Sequence, residues 1–278
     1  RASKHTVFFW KLFCYTVLKT TDGSDPMDPN LLRYYREHGP MTEVRTKQDM
    51  VSNIPPDLET IVSYVQNVLL HQHWSGAYGV ELNPARQREP FLRSFEEKLV
   101  FLSEKGYSHV SEQKPYPERM VGICRDFSVV GAALCREAGI PARARCGFAT
   151  YFGPGNPLDV GKDQFITAPR AWQMCRQGKA DPELFGIFQW WGYDYLNCNL
   201  MLDVNSLLKM PMQPWDGWKG YKATAVQQWT EADFEVVDTL AELALSADEN
   251  FPAFSQFVLG HDQIKVPADL TAVFNVND

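Results

Sequence analysis

Apolar positions recur with helical spacing through much of this chain, and one stretch departs from that pattern. From Phe127 to Leu134 nearly every side chain is apolar or small, so a helix there has no clear polar face and must be covered on most sides. Gly139 supplies a left-handed stop, and Pro141 stands where the helix cannot continue. Together they predict a buried helix over Cys124–Ala138. After it, Ala142, Ala144, Cys146, Phe148 and Phe152 alternate with Arg143, Arg145 and Tyr151, the period of a strand with one buried face.

The flanking segments are amphipathic. Met27 to Pro56 reads as a short helix and an extended polar connection. Asp57 then caps a helix with Leu58, Ile61, Val62, Val65 and Leu69 on one face and His71-Gln-His73-Trp74 at its end. Pro90 to Ser103 predicts a second helix, with Phe91, Phe95, Leu99 and Leu102 inward and Glu96, Glu97 and Lys98 outward. Gly106 to Met120, holding Pro115 and Pro117, connects it to the cysteine helix. Further on, Thr167-Ala-Pro169 opens a helix through Arg176 that stops at Gly178, and Asp181-Pro182 caps a short one. Tyr193, Leu196, Leu200, Val204 and Leu207 mark another, closed by Pro211. Thr230 and Asp233 form a near capping box ahead of Phe234, Val237, Ala241 and Ala244. From Phe251 onward no strong pattern emerges.

With 278 residues, 45% of them hydrophobic, the chain can bury a substantial core as one large domain or two small ones. A net charge of -7 without a basic run interleaved with aromatics argues against a nucleic-acid partner. The apolar Val7–Leu18 run is broken by Lys11 and too short to span a bilayer, so residues 1–26 read as a non-native or irregular leader, or else as a packed N-terminal strand, with no function assigned and no membrane association expected. Six cysteines without a C-x-x-C pair give no zinc pattern. In a chain of this length they read as free thiols of a reducing, cytoplasmic setting. His71-x-His73 invites a metal reading, but on a helix the two rings face apart and no third ligand is near, so no metal is expected. Gly155 to Lys162 mimics a phosphate loop with the wrong spacing, and Asp163 stands where Ser or Thr is required. Trp190, Trp191, Tyr193, Tyr195, Trp215 and Trp218 suit a substrate groove or, at helical spacing, a core; packing is the stronger expectation.

Cys124 carries the candidate chemistry. Unpaired N–H groups and the macrodipole at a helix start favour negative charge, and such positions lower a thiol from about 8.5 to between roughly 3.5 and 7.5. The same N–H groups suit an acyl-transfer oxyanion. By position alone, a buried structural cysteine explains the residue as well.

The wording of the motif adds to this. Gly122-Ile-Cys-Arg-Asp-Phe-Ser128, a small-residue helix, Ala138-Gly-Ile-Pro-Ala-Arg143 and an aromatic strand resemble the transglutaminase-like superfamily, whose fold is papain-like. Tyr34–Thr42, Leu69-Leu-His71, Pro157–Val160, Arg170–Arg176, Phe185–Phe188 and Met212–Asp216 are similar to its bacterial branch, so the resemblance runs from Met27 to about Trp218. It implies an α+β fold in which the cysteine-bearing helix packs on an antiparallel sheet, with additional helices. Residues 27–278 would then form one domain with a helical C-terminal extension. It also implies Cys124 as nucleophile in acyl transfer or hydrolysis of an amide, ester or thioester. The donor would be a peptide or small molecule and the acceptor an amine or water, with no cofactor. His71 matches a family position, and Trp74, Arg125 and Asp126 are candidate neighbours, the last two as anchors of the helix start. Some animal transglutaminases use calcium, but no EF-hand-like acidic loop occurs here.

One departure stands against that agreement. The family places a histidine, and then an aspartate, on segments following the cysteine helix and its strand. Here Tyr151-Phe-Gly-Pro-Gly-Asn156 runs directly into Pro157-Leu-Asp-Val160, and no histidine lies between His109 and His261. Either the segment is lost, leaving a silent binding protein on the same fold, or further residues sit between Phe152 and Pro157. Loss of two strands would expose sheet edges and core side chains, which favours the second. His261 is too remote in sequence to be assigned.

Overall fold

The computed structural model describes residues 27–149, 165–187, 189–218 and 226–275. The leader, the strand end at Tyr151 and Phe152, the junction to Pro157 and the Gly155–Lys162 stretch lie outside them. The sequence itself is continuous through Gly153 to Asn156, so the expected extra residues before Pro157 are not part of this chain. The contacts divide the molecule into two compact units that meet in sequence between Ala144 and Arg145.

In the first unit, Asp28 caps helix α1 (Pro29–Arg36) by accepting the Asn30 N–H at 2.8 Å. Asp57 likewise caps α2 (Leu58–Val68) through the Thr60 N–H at 2.8 Å. Ile61, Val65 and Val68 are buried, whereas Leu58, expected inward, is exposed. The helix ends at Val68 and the chain enters strand β1 (Leu69–His71), followed by a 3-10 segment over Gln72–Tyr78. His71 and His73 therefore do not sit at a helix end. Helix α3 (Phe95–Glu104) begins at a Ser94/Glu97 capping box, later than expected. Phe91 belongs to the preceding 3-10 segment and is 48% exposed.

Strand β2 (Met120–Gly122) pairs in parallel with β1, placing Leu69 opposite Met120 and His71 opposite Gly122. A parallel pair requires a long crossover, and here the crossover contains α3. Helix α4 (Cys124–Glu137) follows at once, and Gly139 ends it with φ +74°. It packs on α1, α2, α3 and β2, burying Val129, Val130, Ala133 and Leu134 with Ile61, Val65, Phe95 and Leu99. Arg136 is buried too. Its guanidinium donates to the Tyr35 and Ala142 carbonyls and to Thr42 Oγ1, at 3.1, 3.1 and 2.8 Å. Among the described residues of this unit, the strands beside the cysteine helix are the parallel β1–β2 pair, where an antiparallel sheet was expected.

Antiparallel pairing occurs in the second unit. Strand β3 (Gly147–Ala149) pairs with β4 (Phe165–Thr167) and starts later than the alternation from Ala142 suggested. Helix α5 (Ala168–Arg176) follows, and then the hairpin of β5 (Gly186–Ile187) and β6 (Trp190–Trp191). Helix α6 (Gly192–Leu207) buries Leu196, Leu200, Val204 and Leu207. Strand β7 (Asp216–Gly217) pairs with β8 (Phe274–Asn275). Thr230 and Asp233 form a complete capping box on α7 (Glu231–Leu245). The tail that showed no pattern is helical over α8 (Phe251–Gly260), capped by Asn250, with Phe254 and Val258 buried. Helices and short strand pairs in one chain make this an α+β protein.

Candidate active site

The site is built where β2 passes into α4. Ile123 is extended, with φ -100° and ψ 174°, and serves as the N-cap, so Cys124 takes the first helical position. Asp126 reaches back, its Oδ2 accepting the Ile123 N–H at 2.8 Å. The Ile123 carbonyl in turn accepts the Asp126 N–H at 2.8 Å. Gly122 makes room for this closure: a Cβ there would lie 3.0 Å from Asp126 Cβ. The Cys124 and Arg125 N–H groups favour the thiolate, but burial outweighs them, and the Asp126 charge adds to it, pushing the thiol up to about 11. The lowered thiol expected of a helix start is thus reversed, because the helix is buried from Arg125 onward, although Cys124 itself is only half-buried.

Asp126 is enclosed with Lys98, a residue expected on the outward face of its helix. Lys98 Nζ lies 3.0 Å from Asp126 Oδ1, and both side chains are 0% exposed. Lys98 also donates to the Leu92 carbonyl. Positions 95, 98, 99 and 102 form one helical stripe, so Lys98 belonged to the inward face of α3, although a lysine was expected outside. Glu96, also expected outward, is buried and accepts the Arg45 and Thr46 N–H groups at 2.9 and 3.0 Å. Arg125 donates to the Arg93 carbonyl and approaches Asp126 Oδ1 at 3.4 Å.

His71 stands opposite Gly122 in the strand register, with its ring 5.8 Å from that of Phe127 and 5.7 Å from that of His73. Burial first, and then the His73 charge, push it down to about 3. Trp74, on the 3-10 segment that follows, is exposed. Among the described residues no three His, Cys, Asp or Glu side chains gather as a metal set, and no helix is long and apolar enough to cross a membrane. Among the described residues, Cys124, Cys135, Cys146, Cys175 and Cys198 form no disulfide with one another.

The titration of His71 has a testable sign. Unfolded, the ring takes a proton near pH 6.5; folded, it does so only near 3. Between those values the unfolded chain binds the extra proton, so stability is full above 6.5 and falls as pH drops through the window, by at most about 1.4 kcal/mol per pH unit. Urea melts at pH 7 and 4.5 should show that loss, and His71→Phe should show less of it. An unchanged difference between the two pH values would refute the assignment.

The aromatic cluster divides. In the second unit Tyr193 packs edge-on against Trp172 at 5.4 Å and Tyr195 against Phe148 at 5.9 Å, while Trp218 is buried. Trp190 and Trp191 on β6 are exposed. Of the remaining histidines, His109 bonds to Ser111 Oγ and the Ser52 carbonyl. His261 bonds to the Phe257 carbonyl.

The comparisons with known proteins bear on this site. Residues 97–179 match the transglutaminase-like superfamily. No curated protein and no solved structure gives a significant match. The transglutaminase-like segment is shorter than the stretch over which the sequence resemblance runs. It begins within α3, contains Lys98, Cys124, Arg125 and Asp126, and ends just after α5; His71 and Trp74 lie outside it.

Proposed function

We propose that the chain performs cysteine-dependent acyl transfer or hydrolysis at Cys124. The observation that supports this reading is the placement of Cys124, within the transglutaminase-like segment, at the first position of a buried helix whose Cys124 and Arg125 N–H groups favour negative charge on sulfur. In the reaction the Cys124 sulfur, once deprotonated, bonds to the carbonyl carbon of an amide, ester or thioester. The leaving group departs with a proton, and the thioester passes its acyl group to an amine or water, restoring the thiol. A peptide or small molecule is the donor, residues 27–278 act as one domain, and a reducing cytoplasmic setting keeps the thiol free.

A second reading, a silent binding protein on the same fold, draws on two observations. The thiol is pushed up to about 11, and the histidine expected between His109 and His261 is missing. His71 does not take that place, since a ring held near 3 is a weak base. A panel of glutamine peptides, esters and thioesters with a fluorescent amine acceptor separates the readings. Transfer by the chain that falls to background in Cys124→Ala supports the first. Transfer retained in the alanine variant would sink it, and binding by both proteins without transfer would support the second.

A further inference from the structure

A lysine with no access to water is costly to keep charged unless it is paired and hydrogen-bonded. Lys98 has both kinds of partner, the Asp126 carboxylate at 3.0 Å and the Leu92 carbonyl. The Asp126 carboxylate uses its two oxygens on different tasks: Oδ1 meets Lys98 and Arg125, and Oδ2 takes the Ile123 N–H. The chain Lys98–Asp126–Ile123 therefore ends at the residue next to Cys124. No surface group competes for the carboxylate, because both side chains are enclosed.

We propose that Lys98 is a positioning residue for the Cys124 nucleophile: its ammonium pins Asp126 on the Ile123 N–H and offsets, at the nucleophile's own turn, the carboxylate charge that opposes a thiolate. The inference rests on Cys124 being the nucleophile. Without Lys98, Asp126 keeps only Arg125 as a cationic neighbour among the described residues, and its negative charge acts more strongly on the sulfur. Without the Asp126 charge, the same sulfur ionises more readily. The charged groups facing Lys98 are Asp126 and Arg125 from α4 and Glu97 from its own helix. Burial lowers the Lys98 ammonium to about 8 against the support of Asp126, so the offset is strongest below that pH.

The test measures alkylation of Cys124 by iodoacetamide, followed peptide by peptide, between pH 6.5 and 7.5. Lys98→Met removes the charge at similar volume, and Asp126→Asn keeps an acceptor for the Ile123 N–H. Lys98→Met should slow alkylation about tenfold and Asp126→Asn should speed it about tenfold, one pKa unit each way. A purely structural role would loosen the turn in both variants and move both rates the same way, which would overturn the proposal. Should either single variant fail to fold, Lys98→Met/Asp126→Asn supplies the measurement, since a neutral pair is often tolerated where a broken ion pair is not. Its alkylation should stay within about threefold of the parent, as loss of the ammonium cancels loss of the carboxylate, and a tenfold change in either direction would overturn the inference. Alkylation needs no acyl donor, so these outcomes are independent of whether Cys124→Ala abolishes transfer.

Discussion

Asp203→Ala is expected to cost about 3–5 kcal/mol of stability, the range for breaking one side of a buried ion pair. Asp203, fully buried on α6, receives Arg145 through Nε at 2.9 Å and Nη2 at 2.8 Å, and also accepts the Cys146 N–H at 2.6 Å. The alanine variant leaves a mostly enclosed guanidinium without its carboxylate and orphans a backbone donor one residue before β3. Asp203→Asn retains one acceptor oxygen and should lose less. Arg145→Lys keeps the charge but gives up the two-pronged geometry, so it falls between wild type and Asp203→Ala. Urea denaturation followed by circular dichroism gives the ranking. A loss below about 1 kcal/mol for Asp203→Ala would place this pair with solvated surface bridges.

Trp172→Ala should be comparably damaging, again about 3–5 kcal/mol, for a different physical reason. The indole on α5 is fully buried, with the rings of Tyr193, Trp229 and Phe234 at 5.4, 6.2 and 6.2 Å. Its Nε1–H donates to Asp238 Oδ1 at 2.7 Å, a carboxylate that Arg176 Nε also reaches at 3.0 Å. Truncation opens a cavity among aromatics and removes one of the donors to Asp238. Trp172→Phe retains much of the ring volume and leaves Arg176 on Asp238, so it should recover part of the loss. Trp191→Ala, at a position 47% exposed, is the control. If the two alanine variants destabilise equally, the view that Trp172 anchors this core is wrong.

Local chemistry explains which elements were legible in the sequence. The C-terminal end of α4 follows from Gly139 and Pro141, the start of α2 from Asp57, and the start of α7 from Thr230 with Asp233. Each is a backbone requirement that a particular side chain satisfies nearby. The passage from α2 to β1 was hidden because the apolar run through Val65, Val68, Leu69 and Leu70 suits a buried helix and a buried strand equally well. Helix α8 went unread although Asn250 caps it and Pro252 stands in its first turn, because its apolar residues lack a polar counterface.

The site was legible to the same depth. Cys124 could be placed at a helix start from its neighbours, whereas the state of its thiol depends on how tightly tertiary packing encloses that turn. Lys98 shows the converse error: its spacing from Phe95 and Leu102 put it inside, and only its charge argued otherwise. A partner such as Asp126, far along the chain, is invisible to a window of one helix.

The closeness of Gly122 to Asp126 also constrains heredity. A side chain at 122 would press on the carboxylate that closes the Cys124 turn, and a changed carboxylate would strand the ammonium of Lys98. A drifting lineage cannot alter positions 98, 122 and 126 one at a time without passing through a poorer intermediate. They should persist as a set or be exchanged as one, even where Cys124 itself has been abandoned.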